Sequence, residues 1–176
     1  MVTPELLQAC RRGERGAFEE LVERTRRQVY SMARRLMRDA HEAEDVAQEV
    51  YLRVYRGLPT FRQEASFETW LYRIVANTAF TQMRRRGRFG DVAPEPMGDE
   101  APSRDRPLGE AAMDRDDLTR ALAKLPAASR AVVVLRDVYG LTMKEIASEM
   151  GTSEGAVKVR LHRARTRLRE LLAEDR

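Results

Sequence analysis

Apolar residues recur every three or four positions along most of the chain, the spacing that predicts helices with one buried face. No segment shows the sustained two-residue alternation of Val, Ile or Tyr that is typical of a strand. Thr3 and Pro4 fit the start of a first helix, and Gly13 and Gly16 interrupt the chain before a second, AFEELVERTRRQVYSMARRLM. The pattern therefore predicts an all-α protein.

Two more helices are predicted before residue 87. Asp39, with Glu42 three positions later, resembles a capping box that opens HEAEDVAQEVYLRVYRG, and Gly57 and Pro59 close that helix. Ser66 is placed to cap the next one, FETWLYRIVANTAFTQMRRR. The apolar residues of this fourth helix share one face: Phe67, Trp70, Leu71, Ile74, Val75 and Thr78.

The composition changes between Gly87 and Ala112. Four of the seven prolines and four of the ten glycines lie here, six acids outnumber three arginines, and large apolar residues are almost absent. Such a segment cannot bury a core and is typical of a linker. We therefore predict two small helical domains, residues 1–90 and 113–176, joined by a flexible acidic linker over residues 91–112.

A helix–turn–helix is predicted after Gly140. Thr142 and Glu145 form a capping-box pattern, Gly151 can end that helix, and Ser153 can cap the next. Apolar residues of the second helix repeat at helical spacing and should pack against Leu135, Ile146 and Ala147; they are Val157, Leu161, Ala164, Leu168 and either Leu171 or Leu172. Basic residues flank this stripe, with Lys158, His162, Arg165 and Arg169 on one side and Arg160, Arg163 and Arg167 on the other.

The net charge of +4 is modest and by itself does not indicate nucleic-acid binding. The distribution of the charge along the chain does. The second helix of the corner has almost no acid, and 29 of the chain's 32 basic residues are arginines, which suit contacts with phosphate and guanine. An amphipathic helix with a solvated basic face is the alternative, and His162 could be a simple surface histidine. The predicted DNA-contacting residues are Glu154, Lys158, Val159, Arg160, His162 and Arg163.

The third helix carries a different surface. Asp45, Gln48, Glu49 and Leu52 turn away from its apolar side. Carboxylates repel phosphates, so this acidic face with an exposed leucine suits a protein partner, unless it is merely a solvated surface.

The fourth helix combines arginines, an amide and an aromatic ring on one stripe. Such a ridge could neutralise phosphates, bond base edges and stack on single-stranded bases. Part of its C-terminal arginine cluster could instead complement the helix dipole, and Trp70 is expected in the core. The residues of the predicted ridge are Arg73, Asn77, Phe80, Arg84 and Arg85.

Other classes of protein are disfavoured. A single cysteine, Cys10, and two distant histidines predict neither an internal disulfide nor a metal site, and no cofactor is expected. Apolar runs fall far short of the ~20 residues that cross a bilayer, and no signal peptide is recognisable, so we expect a cytoplasmic protein without membrane insertion. A phosphate-binding loop is also missing, so any strand opening must draw on binding energy, and the chain is not expected to be an enzyme.

Three segments together resemble the small, two-domain extracytoplasmic-function (ECF) class of bacterial RNA polymerase sigma factors. They are DVAQEVYLRVYRGLPTF, FETWLYRIVANTAFTQMRRR and LPAASRAVVVLRDVYGLTMKEIASEMGTSEGAVKVRLHRARTRLREL. The resemblance covers nearly all of the chain outside the linker. It implies a transcription initiation factor whose partners are core polymerase, through the β′ clamp helices and the β flap, promoter DNA and an anti-sigma factor.

The resemblance also implies roles for individual residues. Asp45, Gln48 and Glu49 match positions that dock on the clamp helices. Arg73, Asn77 and Arg84 lie in the region that resembles the reader of the minus-ten element, and the loop from Thr60 to Ala65, which contains Arg62, matches the loop that captures a flipped base. The minus-thirty-five readers correspond to Lys158, Val159, His162 and Arg163. Thr81 departs from the family, which commonly has aspartate there, and this leaves the exact minus-ten bases open.

Two alternatives are weaker. A stand-alone helix–turn–helix regulator would need a ligand pocket among the first four helices. A site-specific recombinase would need a nucleophilic Ser or Tyr on a catalytic sheet, whereas Ser31 and Ser66 lie in unremarkable helical positions.

Overall fold

The structure is a computed structural model that describes residues 2–61, 65–87 and 115–174. Within these ranges every regular element is helical, which confirms the predicted all-α class. The chain divides into two compact units, one reaching to Gln82 and the other beginning at Met83. The predicted linker and domain boundaries stay predictions, because residues 88–114 lie outside the described ranges.

The first unit contains four helices and a short 3₁₀ turn. They are α1 (Pro4–Arg11), α2 (Ala17–Leu36), α3 (Ala40–Gly57), the 3₁₀ turn (Leu58–Thr60) and α4 (Phe67–Arg85). We treat the whole of α4 as part of this unit, although the division falls three residues before that helix ends.

Local signals set the beginnings of these helices. The side chain of Thr3 accepts a hydrogen bond from Leu6 N (3.3 Å), and Asp39 Oδ1 accepts one from Glu42 N (3.1 Å). Ser66 Oγ accepts one from Thr69 N (3.1 Å) at the start of α4. Each cap satisfies an amide that the helix itself leaves without an acceptor.

The core of the first unit lies between α2, α3 and α4. Tyr51 on α3 and Thr25 on α2 share a hydrogen bond between their hydroxyls (3.1 Å), and Gln28 on α2 donates to the Tyr72 hydroxyl on α4. The largest fully buried side chains are Leu21, Val29, Met32, Leu36, Leu71 and Phe80. On the predicted stripe of α4, Phe67, Leu71, Val75 and Thr78 are buried, and Trp70 and Ile74 are half-buried.

The second unit contains α5 (Arg115–Lys124), α6 (Ala127–Val133), α7 (Met143–Met150) and α8 (Glu154–Glu174). The helix predicted to run to Gly140 is instead α6 followed by one π-helical turn, Val134–Val138. In that turn Tyr139 N bonds the carbonyl of Val134, five residues back (3.2 Å).

The predicted corner between α7 and α8 is confirmed. Thr142 and Glu145 form both halves of a capping box, Gly151 has the left-handed φ of 68°, and Ser153 Oγ accepts a hydrogen bond from Ala156 N (3.2 Å). The predicted α8 stripe is buried throughout, with Leu171 as its last buried member.

Candidate polymerase and nucleic-acid interfaces

The predicted partner-binding residues of α3 form one outward surface, which we call the α3 face: Asp45, Gln48, Glu49 and Leu52. Asp45 and Gln48 are exposed, and Leu52 retains 52% of its accessible surface. Their spacing of three to four residues follows the helical repeat, so the side chains are adjacent along one side. Opposite them, Val46, Val50 and Val54 are buried and fix the direction in which the face points.

Arg53 connects the α3 face to α4. Its Nε donates to Glu49 Oε1 (2.9 Å), and its Nη1 donates to Asn77 Oδ1 (3.3 Å). Reasoning from the sequence did not assign Arg53, although its position four residues after Glu49 is a signal for an ion pair on one helix. The bond to Asn77 lies between two helices and has no such local signal.

The start of α3 is reinforced electrostatically. The backbone N–H of Glu42, bonded to Asp39, holds the pKa of that carboxyl below its usual range. The ionised carboxylate is therefore favoured at the positive end of the helix dipole, next to the α3 face.

The ridge predicted on α4 is only partly present. Asn77, Arg84 and Arg85 are exposed and Arg73 is half-buried, so these four can form a surface. The prediction that Phe80 offers an exposed stacking ring is wrong, because Phe80 is 0% exposed and belongs to the core.

Two further expectations concern this region. Thr81 donates its hydroxyl to the carbonyl of Asn77 (2.8 Å) within its own helix. It therefore does not supply the negative charge that the resemblance implies at this position. Arg62, predicted to contact DNA, lies outside the described residues. Just before it, Phe61 packs in an aromatic cluster with Phe67 and Trp70, at centroid distances of 6.1 and 4.8 Å.

The predicted reader residues of α8 remain accessible, with one exception. Glu154, Lys158 and Arg163 are exposed, and Val159 and His162 are half-buried. Arg160 is only 6% exposed, which removes it from the surface and corrects its assignment as a DNA contact. We call the remaining five residues the α8 face.

Arg165 also departs from its predicted place on a basic flank. Its Nε and Nη2 donate to the two carboxylate oxygens of Asp137 (3.0 and 2.5 Å), and the two side chains are only 8% and 7% exposed. This buried ion pair was missed because its partners are 28 residues apart in the chain. A third buried arginine, Arg130, donates to the carbonyl of Leu125 (3.3 Å).

No helix within the described ranges is long and apolar enough to cross a membrane.

Comparison with known proteins identifies both units. Residues 21–89 match the family described as Sigma-70 region 2, and residues 115–168 match Sigma-70, region 4. An ECF RNA polymerase sigma factor SigE of Mycolicibacterium smegmatis is 38% identical over 90% of this chain, which spans 62% of that relative's length. An RNA polymerase sigma-H factor of Pseudomonas aeruginosa is 37% identical, over 92% of this chain and 89% of its own.

A solved structure is similar over its whole length. The sigma factor RpoE from Bartonella quintana, in complex with the anti-sigma factor NepR, has a TM-score of 0.64 and 28% identity, covering 92% of this chain and 99% of its own. The sequence matches cover both units in order and confirm the predicted resemblance. The chain belongs to the sigma-70 family of RNA polymerase sigma factors, in its extracytoplasmic-function class.

Proposed function

We propose that the chain is a transcription initiation factor that binds core RNA polymerase and directs it to specific promoters. The observation that carries this proposal is the presence, in one chain, of both matched sigma-70 regions with an exposed face on each. The role requires no catalytic group from the chain itself. The two matched regions favour it over a stand-alone regulator, since that alternative requires no polymerase-binding surface.

The α3 face binds the clamp helices of the polymerase β′ subunit. The exposed carboxylate of Asp45 and the partly exposed one of Glu49 suit a basic protein surface, and the half-exposed Leu52 supplies apolar area at the centre of such a contact. A negatively charged surface of this kind would be repelled by the DNA that the rest of the protein binds.

The first unit reads and opens the minus-ten element with Arg73, Asn77, Arg84 and Arg85. Without Phe80, the amide of Asn77 and the guanidinium groups provide base-edge and phosphate contacts, and the base-capturing role falls to the loop that contains Arg62. Extruding one base costs a few kcal/mol, which binding to polymerase and to the single strand must offset.

The second unit reads the minus-thirty-five element with the α8 face and contacts the polymerase β flap. The first turns of a recognition helix meet base edges, so Glu154, Lys158 and Val159 are placed earliest, followed by His162 and Arg163. Exposed Arg163 and Lys158 also neutralise phosphates.

An anti-sigma factor is a further proposed partner, and the cytoplasm, where the polymerase works, is the proposed location. Among the similar solved structures, the sigma factor RpoE is in complex with the anti-sigma factor NepR, and CnrH is in complex with the cytosolic domain of CnrY, the latter at a TM-score of 0.61 and 28% identity.

The test is charge reversal on the α3 face. Asp45→Arg should reduce affinity for core polymerase at least tenfold, because a cation replaces a carboxylate at a charge-complementary contact, where breaking a pair costs ~2–5 kcal/mol. Affinity is measured by fluorescence anisotropy of the labelled chain titrated with core enzyme.

Glu44→Arg is the matched control. It makes the same change of charge at the neighbouring exposed position of α3, outside the α3 face, where the side chain is 57% exposed. Circular dichroism verifies that both variants fold. Equal affinities for Asp45→Arg and wild type would refute the assigned polymerase contact, and no affinity of the wild-type chain for core enzyme would refute the function itself.

A further inference from the structure

The π-helical turn Val134–Val138 contacts both sides of the helix–turn–helix through two consecutive side chains. Arg136 Nη1 donates to the carbonyl of Leu141 (3.0 Å), the residue that precedes the cap of α7. Asp137 accepts the two-pronged contact from Arg165 on α8. One turn of backbone therefore holds the entry to the first helix of the corner and the middle of the second.

The insertion of a π turn gives these two side chains their directions. A π turn adds one residue to the helical repeat and so rotates the side chains that follow it relative to an uninterrupted α-helix. The first two residues of the turn, Val134 and Leu135, are fully buried, and the carbonyl of Leu135 also accepts a hydrogen bond from Leu141 N (3.0 Å). These two residues thus anchor the turn in the core, while the side chains of Arg136 and Asp137 bond to Leu141 and Arg165.

The Asp137–Arg165 pair is better suited to fixing geometry than to adding stability. Burying two opposite charges costs desolvation that roughly cancels their attraction, so an apolar pair of similar volume often stabilises a fold as well. A forked contact between a guanidinium and a carboxylate is planar and directional, and it tolerates little rotation of either partner. Apolar packing of the α8 stripe has no comparable directional requirement.

Arg165 lies on the same helix as the α8 face. It follows His162 by three residues and Arg163 by two. Because α8 is continuous from Glu154 to Glu174, fixing the rotation of the helix at Arg165 also fixes the direction of these readers. A base contact is sensitive to shifts of ~0.5 Å or ~10–20°.

We propose that Asp137 is a positioning residue for promoter recognition: through Arg165 it sets the rotation of α8, and so determines how well the α8 face discriminates between minus-thirty-five sequences. Asp137 and Arg165 are buried and touch no base themselves. The inference rests on the proposed function, since it assumes that α8 reads the minus-thirty-five element.

The experiment separates orientation from stability with two variants. Asp137→Glu keeps both charges but moves the carboxylate by one methylene. The double variant D137L/R165M replaces the pair with apolar side chains of similar volume, which can preserve the fold where a single loss would leave one buried charge alone. Glu170→Gln is the control, since it removes the exposed Arg167–Glu170 pair (2.9 Å) on the same helix.

Each variant is assembled with core polymerase and titrated with two DNA duplexes. The first carries a minus-thirty-five element selected by the wild-type holoenzyme, and the second is the same duplex with the bases of that element replaced. The quantity measured is the ratio of the two affinities, at a temperature where circular dichroism shows the variant folded. We expect the ratio to fall about tenfold in D137E and in D137L/R165M, the loss expected for one direct base contact. Affinity for the base-replaced duplex and the ratio of E170Q should stay at wild-type values.

A wild-type ratio in either folded pair variant would overturn the proposal and leave the pair a purely structural one. Failure of the wild-type holoenzyme to discriminate between the duplexes would instead overturn the proposed minus-thirty-five reading, so the two failures are distinguishable.

Discussion

Phe80 shares a helical stripe with Arg73 and Asn77, yet its ring is completely buried while Asn77 is exposed. Residues four and seven positions apart lie within one side of a helix, but the border of the core can pass between them. The aromatic ring gains most from burial, and the amide would lose its hydrogen bonds to water there. Truncation of Phe80 should therefore lower the stability of the first unit, whereas truncation of Asn77 should mainly affect binding.

Phe80→Ala should lower the free energy of unfolding of the first unit by ~3–5 kcal/mol, the range for removing a buried aromatic ring. Asn77→Ala should change it by less than about 0.5 kcal/mol, as at other exposed positions, while weakening recognition of the minus-ten element. The chain has one tryptophan, Trp70, so its fluorescence during urea denaturation reports on the first unit. Wild-type stability of the Phe80 variant would mean that the ring is not part of the core.

Features that depend on neighbours within four residues were predictable from the sequence, as the caps at Thr3, Ser66 and Thr142 show. The burial of Arg165 was not, because an arginine can be buried only where an acceptor compensates its charge, and that acceptor is 28 residues away. The α3 face was predictable since a helical repeat and charge define it. Phe80 was misassigned because periodicity locates a stripe but not the edge of the core.

The corner between α7 and α8 contains two glycines, Gly151 and Gly155, which should respond in opposite ways to substitution by alanine. Gly151 has φ 68°, a conformation that L side chains rarely adopt, although a Cβ there would meet no atom within 4 Å. Gly155 lies in the first turn of α8, and a Cβ there would make an ordinary contact with Ser153 Oγ at 3.9 Å. Backbone conformation, and not space, therefore distinguishes the two positions.

Gly151→Ala should destabilise the second unit by ~1–2 kcal/mol, the cost of placing an L side chain in the left-handed region. Gly155→Ala should stabilise it by ~0.5–1 kcal/mol, because alanine loses less backbone entropy than glycine in a helix. Thermal unfolding followed by far-UV circular dichroism measures both, with Trp70 fluorescence marking the transition of the first unit. Destabilisation of equal size by both substitutions would contradict this account of the corner.

The molecule as a whole carries acidic and basic surfaces, which the proposed function assigns to different partners. The α3 face is anionic, and the exposed residues of the α4 ridge and most of the α8 face are cationic or polar. If the two basic surfaces bind DNA as proposed, each is small and should have low affinity when it acts separately. Attachment to one polymerase makes the second binding event intramolecular, which can raise the overall affinity by ~10²–10⁴. Promoter occupancy should consequently depend on the α3 face as much as on the residues that touch DNA.

Footprinting on a promoter selected by the wild-type holoenzyme tests this dependence. With core polymerase, the wild-type chain should protect both elements, and at the same concentration without core it should protect neither. Asp45→Arg should lose both protections although every DNA-reading residue is intact, whereas Arg163→Gln should weaken protection chiefly at the minus-thirty-five element, because it removes one cation from that surface only. Protection of both elements by the chain alone, or by the Asp45 variant with core, would show that DNA binding does not require polymerase attachment.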